Sequence, residues 1–287
     1  MTDAPASPRV FGVVLAYHPE PDVLANVRAL AAQTAHVIVV DNTPGGDPAG
    51  VLSQLDVEQA VTVLTLSTNL GVAAGFNAGM RAALADGADF VWIFDQDSTV
   101  TSGMLERLLS AHAAAGKRAG VVAPALRSHA TGVVYRRETG RGAGDVDVLI
   151  SSGSLFSREL LERIGLHDEP LFIDYVDHDI CLRARRYGFR NLKVYDTLLD
   201  HRFGDSTPTT ILGRRVYLSE YSPLRHYYSA RNRVIVVKRF GFGRWFWEDV
   251  GFTTKAWAKV LLREGDRRVK IAAFLRGVRD GLRYPTR

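Results

Sequence analysis

Phe90-Val91-Trp92-Ile93-Phe94-Asp95-Gln96-Asp97-Ser98 is the stretch on which the reading of this chain turns. Five apolar residues, aromatic and β-branched in alternation, are too few for a helix and read as a strand buried on both faces. The run stops at two aspartates two positions apart. In open parallel sheets, ligands collect beyond the carboxyl ends of the strands. Two carboxylates placed there can reach one hard cation; magnesium and manganese take oxygen ligands together with substrate phosphates. D-x-D also occurs in solvated turns, where the acids only cap the next helix. The buried strand in front of this triplet favours metal–phosphate chemistry.

Upstream, the same pattern repeats. Strands are expected at 10–16, 36–40 and 61–66, with helices at 21–32 and 75–85 between strands. Downstream come a helix at 104–115, a short strand at 120–123, and a Gly- and Arg-rich region, 127–147, expected to loop or form a short hairpin. A strand at 148–151, helices at 158–164 and 177–187, and a last strand at 191–195 follow. Strands alternating with helices predict a mostly parallel sheet covered on both faces. Segments 220–240 and 243–283 read as helical, with breaks near Gly241, Gly243 and Gly265.

Two other strand ends carry acids: Asp41-Asn42 after Val37-Ile38-Val39-Val40, and Asp174-Tyr175-Val176-Asp177-His178-Asp179 after Leu171-Phe172-Ile173. Acids at a helix start offset its dipole, which accounts for Asp179. Asp177, nearer the strand end, is the candidate general base. Arg183, Arg185 and Arg186 read as a solvated or acid-paired helix face. Asn69-Leu70-Gly71-Val72-Ala73-Ala74-Gly75-Phe76-Asn77 opens a helix with small residues. It suits either a phosphate at the helix N-terminus or tight helix–sheet packing, and the residues alone leave both open. His201 is a lone histidine whose neutral imidazole would complete a metal shell begun by Asp97.

The chain has 287 residues, 46% hydrophobic and 23% charged, which excludes a wholly disordered protein. Its single cysteine, Cys181, excludes an internal disulfide and a multi-cysteine metal site. No apolar run reaches the roughly 18 residues of a spanning helix, and residues 1–8 lack the blocks of a signal peptide. A cytoplasmic location is therefore expected. Residues 1–200 hold 17 Lys/Arg against 24 Asp/Glu, whereas residues 201–287 hold 19 against 7, a net +12. That basic end carries Phe240, Phe242, Trp245, Phe246, Trp247, Phe252 and Trp257 among its cations. Basic, aromatic helices lie in membrane interfaces; packing of the aromatics on the first domain is the alternative. No nucleic-acid recognition motif is present, and without G-x-G-x-x-G after the first strand a dinucleotide oxidoreductase is disfavoured.

Taken together, Val39-Val40-Asp41-Asn42-Thr43, the 69–77 segment, Asp95-Gln96-Asp97-Ser98, Phe172-Ile173-Asp174-Tyr175-Val176-Asp177 with Cys181-Leu182-Arg183, and Tyr227-Tyr228 with Arg231-Asn232 resemble the GT-A inverting glycosyltransferases of family 2, and within them the bacterial L-rhamnosyltransferases. The resemblance covers roughly 9–240; His18 stands where relatives carry Asn. It implies an α/β GT-A fold with a Rossmann-like, mostly parallel sheet over 1–205 and a basic helical region over 206–287. It implies a nucleotide-sugar donor, dTDP-β-L-rhamnose, and a glycan or polyprenyl-linked glycan acceptor in envelope polysaccharide synthesis. A galactofuranosyl or hexosyl nucleotide donor is the alternative, as is an inactive nucleotide-sugar-binding subunit. Carried over residue by residue, Ala16 and Tyr17 line the base pocket and Asp41 accepts from the base. Asn69 and Asn77 hold the nucleoside and pyrophosphate side, and Asp95 faces the ribose or the metal region. Asp97 and His201 bind Mg²⁺ or Mn²⁺. Ser152, Gly153 and Ser154 flank the sugar, Arg231 neutralises the leaving diphosphate, and Asp177 is the base. Lipid-linked acceptors in turn imply peripheral attachment at the inner face of the cell membrane.

Overall fold

The computed structural model describes residues 7–128, 132–134, 136–201, 207–211, 214–218 and 220–285. In chain order its elements are β1 (Val10–Ala16), α1 (Asp22–Ala31), β2 (His36–Asp41), β3 (Val61–Thr65), α2 (Gly71–Ala85), β4 (Phe90–Asp95), α3 (Met104–Ala115), β5 (Ala119–Ser128), β6 (Ala143–Val146), β7 (Ser154–Ser157), α4 (Arg158–Ile164), α5 (Val176–Arg186), β8 (Arg190–His201), β9 (Thr207–Ile211), β10 (Arg214–Leu218), α6 (Pro223–Phe240), α7 (Arg244–Arg263) and α8 (Arg267–Arg283).

Eight strands form one sheet in the order β3-β2-β1-β4-β7-β5-β8-β6, and β9 and β10 form a separate antiparallel ribbon. β3, β2, β1 and β4 are parallel; β7 runs antiparallel to both β4 and β5; β5 and β8 are parallel, and β6 closes the edge antiparallel to β8. The unbroken apolar strands follow from this position, because residues on both pleat faces are buried. Val10, Val14, Val37, Val39, Trp92 and Phe94 pack under α1 and α3. Their neighbours Val13, Leu15, Ile38, Val40, Val91 and Ile93 pack under α2, α4 and α5.

Several expected boundaries shift. The short strand at 120–123 is the start of the ten-residue β5. In the 127–147 region an antiparallel bridge joins Arg127 to Val134, with the Ser128 N–H donating to the Val133 carbonyl at 3.0 Å, as the expected short hairpin would; β6 farther along joins the edge of the sheet. The strand expected at 148–151 lies at 154–157 instead, where Trp92 Nε1–H and the Ile93 carbonyl grip Gly153. β8 continues beyond residue 195 through a bulge, where its pairing with β5 jumps from Pro124–Val194 to Ala125–Leu198. The register slip resumes pairing and carries the strand on to His201. The 205/206 boundary falls among residues outside those described, as do Phe203 and Gly204 beside His201.

α6 lies against the 171–176 segment. Its Ile235 packs with Ala73, Leu171 and Val176. α8 approaches α6 so closely that a Cβ at Gly277 would stand 2.3 Å from the Tyr227 carbonyl.

Candidate active site

β4 carries Asp95 to the carboxyl edge of the sheet, and β8 brings His201 beside it. Single ligand atoms of Asp95, Asp97 and His201 all lie within 4.8 Å of one another. The loop between them is braced. The Thr99 N–H donates to the Asp200 carbonyl (3.1 Å), and the Arg127 guanidinium holds the Asp200 carboxylate at 2.5 and 2.6 Å. A hydrogen-bonded line runs from the Asp95 N–H to Ser152 Oγ (3.1 Å), on to Ser98 Oγ (2.7 Å) and to His201 Nδ1 (3.0 Å). In the direction where Nδ1–H donates to Ser98, the histidine keeps Nε2 as a ligand atom, the usual way a neighbour sets a metal-binding tautomer. Gln96 exchanges two hydrogen bonds with the Tyr17 backbone, and its main-chain carbonyl accepts one from Asn26 Nδ2, tying the end of β4 to the end of β1 and to α1.

Asp177 lies in the first turn of α5, near enough for its charge to act on Asp95. The Asp95 carboxyl is pushed up to about 6 by burial, with Asp97 and Asp177 adding repulsion, while His201 and Arg225 partly oppose the rise. Carboxylates crowded together with an imidazole form a donor set that suits a hard or borderline divalent cation. The residues present fit one. Asp177 itself moves the other way: burial alone would raise its pKa, but the charge and hydrogen bonds of His178, with His167 behind, hold it below the usual carboxylate value.

The segment leading into α5 is strained. Phe172, Asp174 and Tyr175 all have positive φ, at 64°, 60° and 63°, each costing on the order of 1–3 kcal/mol for a side chain of this kind. α6 holds them there. Asn232 Nδ2 donates to the carbonyls of Leu171, Ile173 and Asp174 at 2.7–2.9 Å. Phe172 stacks on Tyr228 at 4.8 Å, and Arg225 pairs with Asp174 at 3.1 Å while lying 3.9 Å over Tyr221.

Asp41 ends β2 buried, its Oδ1 accepting the Thr43 N–H at 3.0 Å. Ala16 is buried at the end of β1, and Tyr17 beside it is 45% exposed, an open ring at the strand edge. His18 sits at φ 47°, a left-handed position that favours Asn. Asn69 braces Asn42 and Gly71. Asn77 is buried, donating to the His167 carbonyl and Glu169 Oε1 and accepting from the His167 N–H.

The amides that open α2 are already capped: the N–H groups of Val72 and Ala73 donate to the Phe172 carbonyl at 2.6 and 3.2 Å. A Cβ at Gly71, whose φ is +85°, would meet the Phe172 ring at 2.4 Å; at Gly75 and Gly79 it would meet Leu15 and Val13 at the same distance. Of the two readings left open for this segment, tight packing accounts for its glycines. Ser152 and Gly153 lie beneath the acidic cluster, gripping β4 as described, and Ser154 Oγ donates to the Ile150 carbonyl. The Arg231 guanidinium bonds to the Pro170 carbonyl and Asn232 and lies 4.7 Å from the Tyr228 ring centre. Arg225, one helical turn and a half earlier, is the arginine whose charge reaches Asp95.

A mostly parallel α/β sheet covered by helices, a strand-end Asp-x-Asp-His cluster and a carboxylate at a nearby helix start are the features of the GT-A fold class. The sequence matches the profile of Glycosyl transferase family 2 over residues 13–165. The chain belongs to glycosyltransferase family 2. It is 30% identical over 245 residues to dTDP-rhamnosyl transferase RfbF of Shigella flexneri, covering 80% of each chain. It is 32% identical over 259 residues to galactofuranosyltransferase GlfT1 of Mycobacterium tuberculosis (strain H37Rv), covering 81% of this chain and 83% of that one. Among solved structures, residues 1–349 of S. aureus TarS with UDP-GlcNAc superpose with a TM-score of 0.65 at 16% identity, over 94% of this chain and 81% of that one. The mannosyltransferase PcManGT of Pyrobaculum calidifontis with GDP-Man and Mn²⁺ superposes with a TM-score of 0.59 at 15% identity, over 99% and 77%.

Proposed function

We propose that the protein transfers L-rhamnose from dTDP-β-L-rhamnose to a hydroxyl of a glycan or polyprenyl-linked glycan, with inversion. The observation that carries the transferase chemistry is the convergence of Asp95, Asp97 and His201, with Asp177 close enough for its charge to act on Asp95. Asp97 and His201, with Asp95 beside them, would hold Mg²⁺ or Mn²⁺. When bound, the cation supplies positive charge to the leaving diphosphate. Asp41 and Tyr17 orient the base. Arg225 lies on the cluster side of α6 and adds a fixed cation for the diphosphate; Arg231 supports the 170–174 segment behind it. Asp177 takes the proton from the acceptor hydroxyl as its oxygen attacks the anomeric carbon and the bond to the diphosphate breaks. A single displacement turns a β-linked donor into an α-rhamnoside.

The rhamnosyl assignment rests on the Asp-Gln-Asp-Ser and Ile-Asp-Tyr-Val-Asp runs and on similarity to a protein named as a dTDP-rhamnosyl transferase. Similarity to a galactofuranosyltransferase supports a UDP-galactofuranose donor as the second reading. A donor screen separates them. Purified protein with Mn²⁺ should be stabilised by dTDP and should slowly hydrolyse dTDP-L-rhamnose. Stabilisation by UDP with hydrolysis of UDP-galactofuranose would replace the rhamnosyl reading by the second one.

The lipid-linked part of the acceptor reading draws on the C-terminal helices. None of the helices among the described residues is long and apolar enough to cross a membrane, so attachment would be peripheral. The aromatic cluster divides. Trp245 is buried with Tyr175, Leu182 and Val236, whereas Phe242, Trp247 and Phe252 are 69%, 67% and 71% exposed. Arg244 and Lys255 stand exposed among them, and α8 adds exposed Leu275, Leu282, Arg276, Arg279 and Arg283. Cations draw such a face to anionic lipid at about 1 kcal/mol each, and the aromatic rings then enter the interface. Vesicles of phosphatidylglycerol and phosphatidylcholine should pull the protein down at low salt, and changing Phe242, Trp247 and Phe252 to Ser should abolish the salt-resistant fraction. Wild-type protein that ignores such vesicles would remove the membrane from the reading.

A further inference from the structure

Asp177 does not stand alone. Its Oδ1 accepts two hydrogen bonds from the next residue, one from the His178 main-chain N–H at 2.8 Å and one at His178 Nδ1 at 2.9 Å. Both fall on one oxygen. The imidazole is held in turn by rings from two elements: Tyr175, whose ring centre lies 4.8 Å away, and Trp245 of α7, edge-on at 6.0 Å. Behind them, the Tyr175 hydroxyl donates to Asp249 Oδ1 (2.8 Å) and accepts from Arg233 Nε (2.9 Å), and Arg233 pairs with Asp249 at 2.6 Å. Side chains from α6 and α7 thus lock a histidine whose polar contact is the proposed base.

We infer that His178 is a positioning residue for Asp177: it pins the carboxylate through Oδ1 in one rotamer and leaves Oδ2 as the oxygen that takes the acceptor proton. This rests on the reading of Asp177 as the base. The charges around the pair are mixed. Asp177, Asp249 and Arg233 face the imidazole, with Tyr175 alongside; Asp95, Asp174 and His167 face the carboxylate. Burial drives the imidazole toward its neutral form, yet Asp177, its hydrogen bond and Asp249 outweigh burial and Arg233 and raise its pKa. The same contacts lower that of Asp177. Without the His178 imidazole, only the main-chain N–H of residue 178 and His167 would oppose burial, and the base would be protonated at a higher pH.

The test compares His178→Leu, which removes the side-chain donor, with His178→Asn, whose Nδ2 occupies nearly the place of Nδ1. Hydrolysis of whichever nucleotide sugar the wild type turns over is followed against pH at saturating Mn²⁺. His178→Leu should lower kcat with KM little changed and move the acid limb up by about one pH unit; His178→Asn should recover most of both. A Leu variant with the wild-type acid limb, or an Asn variant no better than Leu, overturns the inference. A donor-independent measurement covers a Leu variant that fails to fold. In ¹⁵N-histidine-labelled protein, the His178 signal, assigned by its loss in His178→Asn, should titrate above free histidine, and Asp177→Asn should lower its midpoint. An unchanged midpoint in Asp177→Asn breaks the pair even if the transferase reading stands. A lowered midpoint in a protein that turns over no sugar nucleotide keeps the pair and removes the reaction.

Discussion

Two helices, α2 and α5, begin at the same carboxyl edge of the sheet, and both are entered through a left-handed residue, Gly71 and Tyr175. Their first turns have opposite fates. The first amides of α2 are spent on the Phe172 carbonyl, and its glycines are spent on Phe172, Leu15 and Val13. α5 begins with Asp177, whose charge reaches Asp95, while its second acid, Asp179, is buried in ion pairs with Arg183 and Arg239 at 2.9 and 2.7 Å. One strained segment, 171–175, does both jobs: its carbonyl fills the start of α2 and its turn presents the start of α5. A helix N-terminus at a strand end is thus a ligand site only where no neighbour has already filled it.

The contrast predicts that the two helix starts respond to different measurements. The largest effect is expected at α5. Asp177→Asn keeps size and removes proton acceptance, so turnover should fall about 10²–10⁴-fold with melting temperature and donor affinity nearly unchanged. A collapse of donor affinity with turnover intact would make Asp177 a binding residue and move the base to a neighbour.

At α2, by contrast, the loss should be in stability. Gly71→Ala forces a Cβ into Phe172 at a positive φ and should cost roughly 2–3 kcal/mol in urea unfolding, with donor affinity of the folded fraction preserved. Unaltered stability with weakened donor binding would make the start of α2 a ligand site after all.

The smallest effect is a pH dependence confined to the acidic side of the comparison. Asp95 binds its proton more tightly than the ordinary value of 3.8, up to about 6. In metal-free protein this carboxyl therefore favours the fold at low pH, and that contribution is lost as pH rises through about 6. A cation must displace the same proton, so Mn²⁺ affinity should fall about tenfold per pH unit below 6. Differential scanning fluorimetry with and without Mn²⁺ at pH 5, 6 and 7.5 measures this, and a Mn²⁺ shift of equal size at all three would place the cation elsewhere.

Much of this architecture was legible along the chain. The strands β1, β2 and β4 read as continuous apolar runs because both their faces are covered, and burial on both faces leaves no polar position to blur the signal. The Asp95-Gln96-Asp97 triplet stood out for the same reason, as the first charge after such a run. His201 was less legible as a strand residue, since β8 reaches it only through a bulge that no periodicity marks. The tasks of Gln96, Arg225 and Asn232 were not legible at all: each acts on a segment 50 to 80 residues away, and a polar residue carries no local sign of a distant partner.

Local pattern, then, was enough for the strand–helix alternation and for the acids after β2 and β4, because backbone periodicity and burial act over a few residues at a time. Leu171-Phe172-Ile173, which also read as a strand, is instead a turn with positive φ at Phe172 and Asp174. Deciding between ligand-binding and packing at Asn69–Asn77 took the folded chain. There, a carbonyl 100 residues away along the sequence fills the helix start at Val72. Likewise, an indole from α7 and a clamp from α6 hold the histidine beside Asp177. Hydrogen bonds and steric contacts between distant segments are set by three-dimensional approach, so their outcome is written only in the packing.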